Sequence, residues 1–264
     1  MSKQLVQEQF GANAAAYATS TVHAKGASLA RLVELLQPQP HWQTLDVATA
    51  AGHTAFIIAP HVAHVTATDL TPEMLPVAAK VAAEKGITNV TLETADAESL
   101  PYANDTFDLV TCRIAPHHFP HIDKFLNESA RVLKPAGILA VVDNVVPGSR
   151  LRGKKADQIR RAGAYVNAFE KLRDPSHGRA LSLEEWLDGF VAAGFVVTYH
   201  ETARKQMEFD SWATRLGASP ETIVRLRAML LQAPQPALEF LTPQQAGDRI
   251  DFYLMEAIVI GKKQ

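Results

Sequence analysis

Between residues 43 and 143, short β-branched runs alternate with longer stretches of helical periodicity. That alternation permits few folds, because repeated βαβ units must build a parallel sheet with helices packed on it. The expected strands are QTLDVAT, HVTATD, VTLETAD, FDLVTCR and GILAVVD. Their near-continuous apolar character suits strands buried on both faces. The intervening HTAFIIAPH, PEMLPVAAKVAAEKG and IDKFLNESARVLKPAG carry apolar residues at helical spacing. Thr71, Pro72 and Glu73 predict an N-cap and first turn, whereas Gly86, and Pro135 with Gly137, predict helix stops.

After Asp143 the alternation breaks. The stretch from Val145 to Ala180 reads as a loop and one polar helix, too hydrophilic for core and suited to the first half of a cap. SLEEWLDGFVAAG opens with a capping-box pattern at Ser182 and Glu185 and leads into a strand, FVVTYHE. Residues 203–246 form a second helical excursion punctuated by Pro220, Pro234, Pro236 and Pro243, and DFYLMEAIVIGKK reads as the last strand. The first 30 residues are Ala-rich and predict helix. Trp186 and Trp212 read as packing residues of the cap.

The chain has 264 residues, 47% hydrophobic and 20% charged, which excludes a disordered, collagenous or coiled-coil protein. A net charge of -2 lacks the basic excess that a nucleic-acid binder needs. The N-terminus has no apolar signal region and no window reaches 18 uninterrupted apolar residues, so neither export nor a membrane span is expected. Cys112 is the only cysteine, which excludes an intramolecular disulfide and a Cys-rich zinc site and makes a cytoplasmic location the expectation.

In open α/β sheets, ligands bind at the carboxyl ends of the strands, where strand order reverses. The first strand-to-helix turn here is LDVATAAGHTAF, whose small Ala48, Ala50, Ala51 and Gly52 let backbone approach a ligand. Asp69 follows Asp46 by 23 positions, the offset at which an acid accepts hydrogen bonds from ribose hydroxyls. The dinucleotide fingerprint requires glycine where this chain has Ala48, Ala50 and His53.

The stretch instead resembles the first motif of the class I S-adenosylmethionine-dependent methyltransferases, an acid followed by Gly-x-Gly-x-Gly. Asp46 is the acid and Gly52 the last glycine, with Ala48 and Ala50 replacing the other two. TADAESLPYANDTFDLVTCRIAPHHF is similar to the family's third and fourth motifs, and RVLKPAGILAVVDN to the strand-five segment of the UbiE-like, type 11 members. The resemblance covers about residues 40–145 in correct order. It implies a Rossmann-like, doubly wound α/β sheet of seven strands, mostly parallel with the last strand antiparallel. On that sheet sit a helical flap (1–36), a cofactor-binding core (37–146), cap segments (147–190 and 203–246) and returning strands (191–202 and 247–264).

The resemblance further implies S-adenosylmethionine as cofactor. Asp46, Ala48 and Gly52 would lie against its methionine moiety, Asp69 would take the ribose hydroxyls and Leu70 would pack on adenine. Asp96 would accept from the adenine amine while the Ala97 N–H meets a ring nitrogen. Arg113 would lend its carbonyl to the methionine amine, with Phe10 and Tyr17 in the flap closing over the cofactor. The bland alternatives are turn caps at Asp46 and Asp69 and a helix N-cap at Asp96.

His117 and His118 follow the fourth strand's carboxyl end, where a methyl acceptor is expected, and could contact it or act as general base. Together with His121 their spacing matches no zinc pattern, so no metal is expected. Glu170, Arg173, Asp174, Ser176 and His177 crowd one turn, EKLRDPSHGR, which either covers the acceptor and supplies recognition or a base, or is a solvated turn. The basic run from Arg150 to Arg161 reads as a solvated face, with an acidic partner left open. The expected partner is a small-molecule acceptor, methylated at carbon or oxygen, with no nucleic acid, no membrane and either a monomer or a homodimer. The competing reading is a protein that binds S-adenosylmethionine or S-adenosylhomocysteine on the same fold, or a non-methylating enzyme, with an altered glycine loop.

Overall fold

The computed structural model describes residues 3–18 and 27–264, with side chains for 3–11 and 28–264. Two N-terminal helices, α1 (Lys3–Ala18) and α2 (Ala27–Leu36), precede a run of alternating elements. These are β1 (Gln43–Val47), α3 (His53–Ile58), β2 (His64–Asp69), α4 (Met74–Glu84), β3 (Val90–Thr94), β4 (Phe107–Arg113), α5 (Ile122–Val132) and β5 (Leu133–Val145). Then follow α6 (Lys154–Arg173), α7 (Leu183–Ala192), β6 (Phe195–Glu208), α8 (Phe209–Thr214), α9 (Pro220–Leu231), α10 (Gln235–Leu241), β7 (Gln244–Ala246) and β8 (Arg249–Lys263).

The sheet runs β3-β2-β1-β4-β5-β8-β6, with β7 hydrogen-bonded to β8. β1 to β5 are mutually parallel, and β8 is antiparallel to both β5 and β6. This is the expected doubly wound α/β sheet, with one addition: the three-residue β7, which sits inside a stretch read as a helical excursion. Strand order reverses between β1 and β4, so their carboxyl ends diverge and leave a crevice.

Both faces are covered, as the apolar strands require. On one face Leu45, Val47, Val110 and Val141 pack with Phe125 and Leu126 of α5 and Trp186 and Phe190 of α7. On the other, Val65, Ala67, Leu109 and Val142 pack with Leu32, Phe56, Ile58 and Val81 of α2, α3 and α4. Each such large side chain contributes about 1.5–3 kcal/mol on full burial. Trp186 therefore belongs to the sheet core and not to the cap, whereas Trp212 lies in the cap cluster.

That cap cluster has its own platform. Pairing between β5 and β8 ends at Val145↔Met255, but β6 and β8 continue together to Glu208↔Asp251, so a two-stranded ribbon projects past the sheet. Met207, Ile250, Phe252 and Leu254 on that ribbon meet Val166 and Phe169 of α6, Phe209 and Trp212 of α8, and Leu226 and Leu230 of α9. α6 is thus not a solvated helix: it buries Ala162, Gly163, Val166, Phe169 and Glu170. These recur at the three- and four-residue steps of a narrow helical stripe, which the many charges between them conceal.

Local signals hold with small displacements. The capping box is present, Ser182 accepting from the Glu185 N–H and Glu185 from the Ser182 N–H. α4 starts at Met74 rather than after Thr71, which instead closes a turn through its carbonyl, bonded by the Met74 N–H at 3.0 Å. α5 ends at Val132, before the predicted stop, because the residue preceding Pro135 is pushed out of helical conformation and β5 already begins at Leu133. Among the described residues no helix is long and apolar enough to cross a membrane.

Candidate functional site

The crevice between β1 and β4 opens into a cleft enclosing about 1500 Å³, solvent at its mouth included. Its two halves are built differently.

The first half is made chiefly of backbone. β1 ends at Val47, and Ala48 (φ 55°), Ala50 (φ 48°) and Gly52 (φ 83°) then all take the left-handed conformation before α3 begins. The turn is pinned by Thr49 N–H to the Thr68 carbonyl and Gly52 N–H to the Thr49 carbonyl, both 2.8 Å. Alanine therefore occupies the two positions where the family motif has glycine, at a cost of about 1–2 kcal/mol each. Ala48 and Ala50 line the cleft; Gly52 does not. A side chain at Gly52 would come within 2.2 Å of the Phe56 ring, so this glycine serves the seating of α3.

Asp46 is buried beneath the turn, with Oδ2 accepting from Thr49 Oγ1 and Oδ1 from Thr111 Oγ1, both at 2.6 Å. Burial pushes its carboxyl up to about 6, against the pull of those hydroxyls and of Arg113. Asp69 ends β2 on the cleft wall, one oxygen taking the Ala50 N–H and the other the Thr71 N–H, each at 2.9 Å. A carboxylate has about four lone-pair sites, so both oxygens retain capacity toward the cleft. Arg113 ends β4, its guanidinium reaching Thr54 Oγ1 at 3.2 Å, and burial lowers its pKa. Leu70, Asp96 and Ala97 complete this half.

Asp96 forms no helix cap. Its Oδ1 takes the Glu98 N–H within a tight turn, and Oδ2 meets Lys3 Nζ at 2.6 Å. Lys3 also contacts Glu98 Oε2 at 2.8 Å, so α1 is clipped over the predicted adenine position. Gln7 Nε2 donates to the Leu70 carbonyl, and Phe10 reaches past this half to meet the His118 ring edge-on at 4.9 Å. The side chain of Tyr17 lies outside the described residues.

The second half is made of side chains. Ile114, β-branched yet at φ 54°, turns the chain off β4 with its N–H held by the Val142 carbonyl at 2.7 Å. The short turn Pro116–His118 follows. His117 Nδ1 lies 2.6 Å from Asp143 Oδ1. Burial opposes its charge, but Asp143, with Glu170 and Asp174 beyond, raises its pKa above the usual histidine value. His118 Nδ1 lies 2.8 Å from the Ser176 carbonyl, which only accepts, so this nitrogen carries the proton and Nε2 keeps a lone pair in the neutral ring. Burial, then the His117 charge, lowers His118 to about 3.

The turn EKLRDPSHGR is not solvated: Glu170, Asp174, Ser176 and His177 are all buried. It docks on the histidine turn, the Gly178 and Arg179 N–H groups both donating to the His117 carbonyl. Glu170, Arg173 and Asp174 reach the cleft. His177 does not. Its Nε2 is 2.8 Å from Asn167 Oδ1, behind His117, which removes it from the catalytic candidates and makes it part of the cap's framework. Among the described residues no three ligating side chains are grouped to hold a metal ion.

Several cleft residues have no counterpart in the sequence reading: Asn144, Lys205, Met207, Arg215 and Leu254, together with Trp212, read only as packing. The signal for Lys205 and Met207 was a period of two beyond residue 202. β6 runs on to Glu208 and pairs Lys205 with Leu254, so these side chains share one face.

Residues 38–178 match the methyltransferase domain family. Over 257 residues the chain is 34% identical to the uncharacterized methyltransferase YcgJ of Bacillus subtilis, covering 97% of this chain and 98% of that one. The crystal structure of YcgJ superposes with a TM-score of 0.82 over 90% of this chain and 98% of the other, at 32% identity. A second solved structure, a putative methyltransferase from Bacillus halodurans, gives 0.83 at 32% identity over 90% and 99%. The ubiquinone/menaquinone biosynthesis C-methyltransferase UbiE of Brucella canis is 43% identical over 103 residues, 38% of each chain.

Proposed function

This chain belongs to the class I methyltransferases, and from that premise we propose that it uses S-adenosylmethionine to methylate a small-molecule acceptor held beneath the cap. The observation that carries the reading is Asp69: a buried carboxylate at the end of β2, held by two backbone N–H groups and fronting a cleft at the strand-order reversal. The residues fit the group. Asp69 would hold its ribose, Leu70 and Ala97 its adenine, and the Ala48–Ala50 backbone with Asp46 and Arg113 its amino-acid end. When bound, S-adenosylmethionine supplies a methyl group already activated by its sulfonium.

The protein's task is then alignment and exclusion of water. The cap turn and α1 border the cleft, Phe10 and Asp174 both lying against His118. For an acceptor that must lose a proton, His118 is the base: its Nδ1 proton is fixed on the Ser176 carbonyl, leaving Nε2 to receive one. Asp174 Oδ2, 3.9 Å from Nε2, faces the charge so formed. His117, tied to Asp143, positions the turn that carries His118.

Titration calorimetry with S-adenosylmethionine and S-adenosylhomocysteine tests the reading. Both bind, and Asp69→Asn weakens them by about tenfold or more, the scale of losing hydrogen bonds to a charged group. Absence of binding of either by wild-type protein at millimolar ligand overturns it.

A further inference from the structure

The acceptor half holds polar groups whose bonding is incomplete. Glu170 bonds Arg173 through Oε2, whereas its Oε1 is buried with no hydrogen-bond partner among the described residues. Arg173 Nε and Asn144 Oδ1 are in the same condition, and all three residues line the cleft. Leaving a buried polar atom without a partner is costly, so three in one cavity mark where a ligand's own polar groups belong.

The charges say what kind. Five cationic side chains line the cleft: Lys3, which pairs with Asp96 and Glu98, and Arg113, Arg173, Lys205 and Arg215. The carboxylates facing them are largely committed. Asp46 is held by two threonine hydroxyls, Asp174 Oδ1 by the Ser176 N–H and hydroxyl, and Glu170 Oε2 by Arg173. Lys205 is the least satisfied cation. Its closest carboxylate oxygen, on Glu256, is 3.8 Å away, and among the described residues its ammonium makes no hydrogen bond. Burial lowers its pKa; Glu256 opposes this, and the charges of Arg113 and Arg215 add to it.

A cationic acceptor would add charge to this group. A neutral one would leave Lys205 with only Glu256, at 3.8 Å, and would give the Arg173 Nε–H no charged acceptor. Trp212, with the Arg173 guanidinium 4.8 Å over its ring, and Met207 and Leu254 form an apolar wall beside them.

We infer that the acceptor is a small molecule carrying an acidic group, with a hydroxyl or amine beside it and a flat or apolar body. The acidic group meets Lys205 and the Arg173 Nε, the donor meets Glu170 Oε1 and Asn144 Oδ1, and the body lies on Trp212. The inference rests on the methyltransferase reading, because it takes this half of the cleft as the acceptor's place.

The test compares acids with their uncharged amides on the full-length protein saturated with S-adenosylhomocysteine, using saturation-transfer NMR and calorimetry. The probes are 2-hydroxybenzoate and 2-aminobenzoate, their amides, and benzoate as an acid without the donor. The hydroxy and amino acids bind at least about tenfold tighter than their amides, as expected for one added charge-assisted hydrogen bond. Lys205→Met abolishes that preference while S-adenosylhomocysteine still binds, and Lys205→Arg keeps it. Glu170→Gln weakens the two donor-bearing acids and leaves benzoate unchanged. Equal binding of acids and amides, or no acid binding to protein that binds S-adenosylhomocysteine, overturns the inference alone. Failure to bind S-adenosylhomocysteine overturns the methyltransferase reading, and this inference with it.

Discussion

The two halves of the cleft solve the same problem with opposite materials. The half that the proposed function gives to the cofactor uses main-chain groups fixed by short parallel strands: a turn with three left-handed residues, and a carboxylate that itself leans on two N–H groups. The half beneath the cap uses side chains from the turn after β4, β5, α6, the β6–β8 ribbon and α8, brought together only by tertiary packing. The backbone half requires a turn conformation and small residues. The side-chain half requires an intact second core, and it can be rewritten by substitution without disturbing the sheet.

The largest expected effect breaks the halves apart. Phe169 is fully buried in the cap core, stacked on Trp212 at 4.7 Å. Phe169→Ala costs about 3–5 kcal/mol in denaturant unfolding. Methyl transfer falls with it, yet S-adenosylhomocysteine affinity in native buffer stays within about twofold of wild type, as expected for well-separated sites. An equal fall in cofactor affinity would show that the two cores are one cooperative unit.

A second expectation uses pH, because the halves titrate in opposite senses. His118 is lowered from 6.5 to about 3 on folding, by burial first and then the His117 charge. The unfolded chain therefore takes up its proton first, and His118 removes stability as pH falls below 6.5 toward 3. Asp46 is raised by burial from 3.8 to about 6, so the folded protein takes up the proton first and gains stability as pH falls from 6 toward 3.8. In pH-dependent unfolding, His118→Asn loses less stability on acidification than wild type, and Asp46→Asn forfeits the acid-side gain. Each difference approaches a factor of about ten in the folding equilibrium per pH unit within its window. Parallel curves for wild type and either variant would contradict that assignment.

The smallest effect concerns the turn itself. Replacing Ala48 or Ala50 by glycine relieves about 1–2 kcal/mol of left-handed strain but returns about 0.4–1 kcal/mol of unfolded-chain entropy. Each variant should be more stable by up to about 1.6 kcal/mol in urea, with the cap unaffected. Destabilisation instead would mean that the alanine methyl groups make contacts worth more than the strain.

The same contrast explains what the sequence discloses. The cofactor half is written almost continuously from Asp46 to Arg113, in the order in which strands and turns form it, so its candidate residues could be named from spacing and family resemblance. Of these, Asp46, Ala48, Asp69, Leu70, Asp96, Ala97 and Arg113 line one cleft. Gly52 stands behind it because its missing side chain is needed by Phe56. The acceptor half draws on positions from Ile114 to Leu254 with no local pattern joining them. Asn144 looks like the end of a strand, Lys205 sits beyond the predicted end of β6, and α6 hides its buried stripe among seven other charged residues. The crowded turn after α6 was legible as unusual. That His118 enters the cleft while His177 backs the wall depends on which residues their rings meet, Ser176 in one case and Asn167 in the other.

Lys3, Gln7 and Phe10 stand at steps of four and three along α1, hence on one side of a single rigid rod. The first two fasten over Asp96 and Leu70, and the third rests on His118. A rod cannot release one grip without straining the next. Under the proposed function, exchange of spent cofactor past α1 and arrival of fresh acceptor at His118 would therefore be one event in time, and turnover would inherit a single clock from this helix.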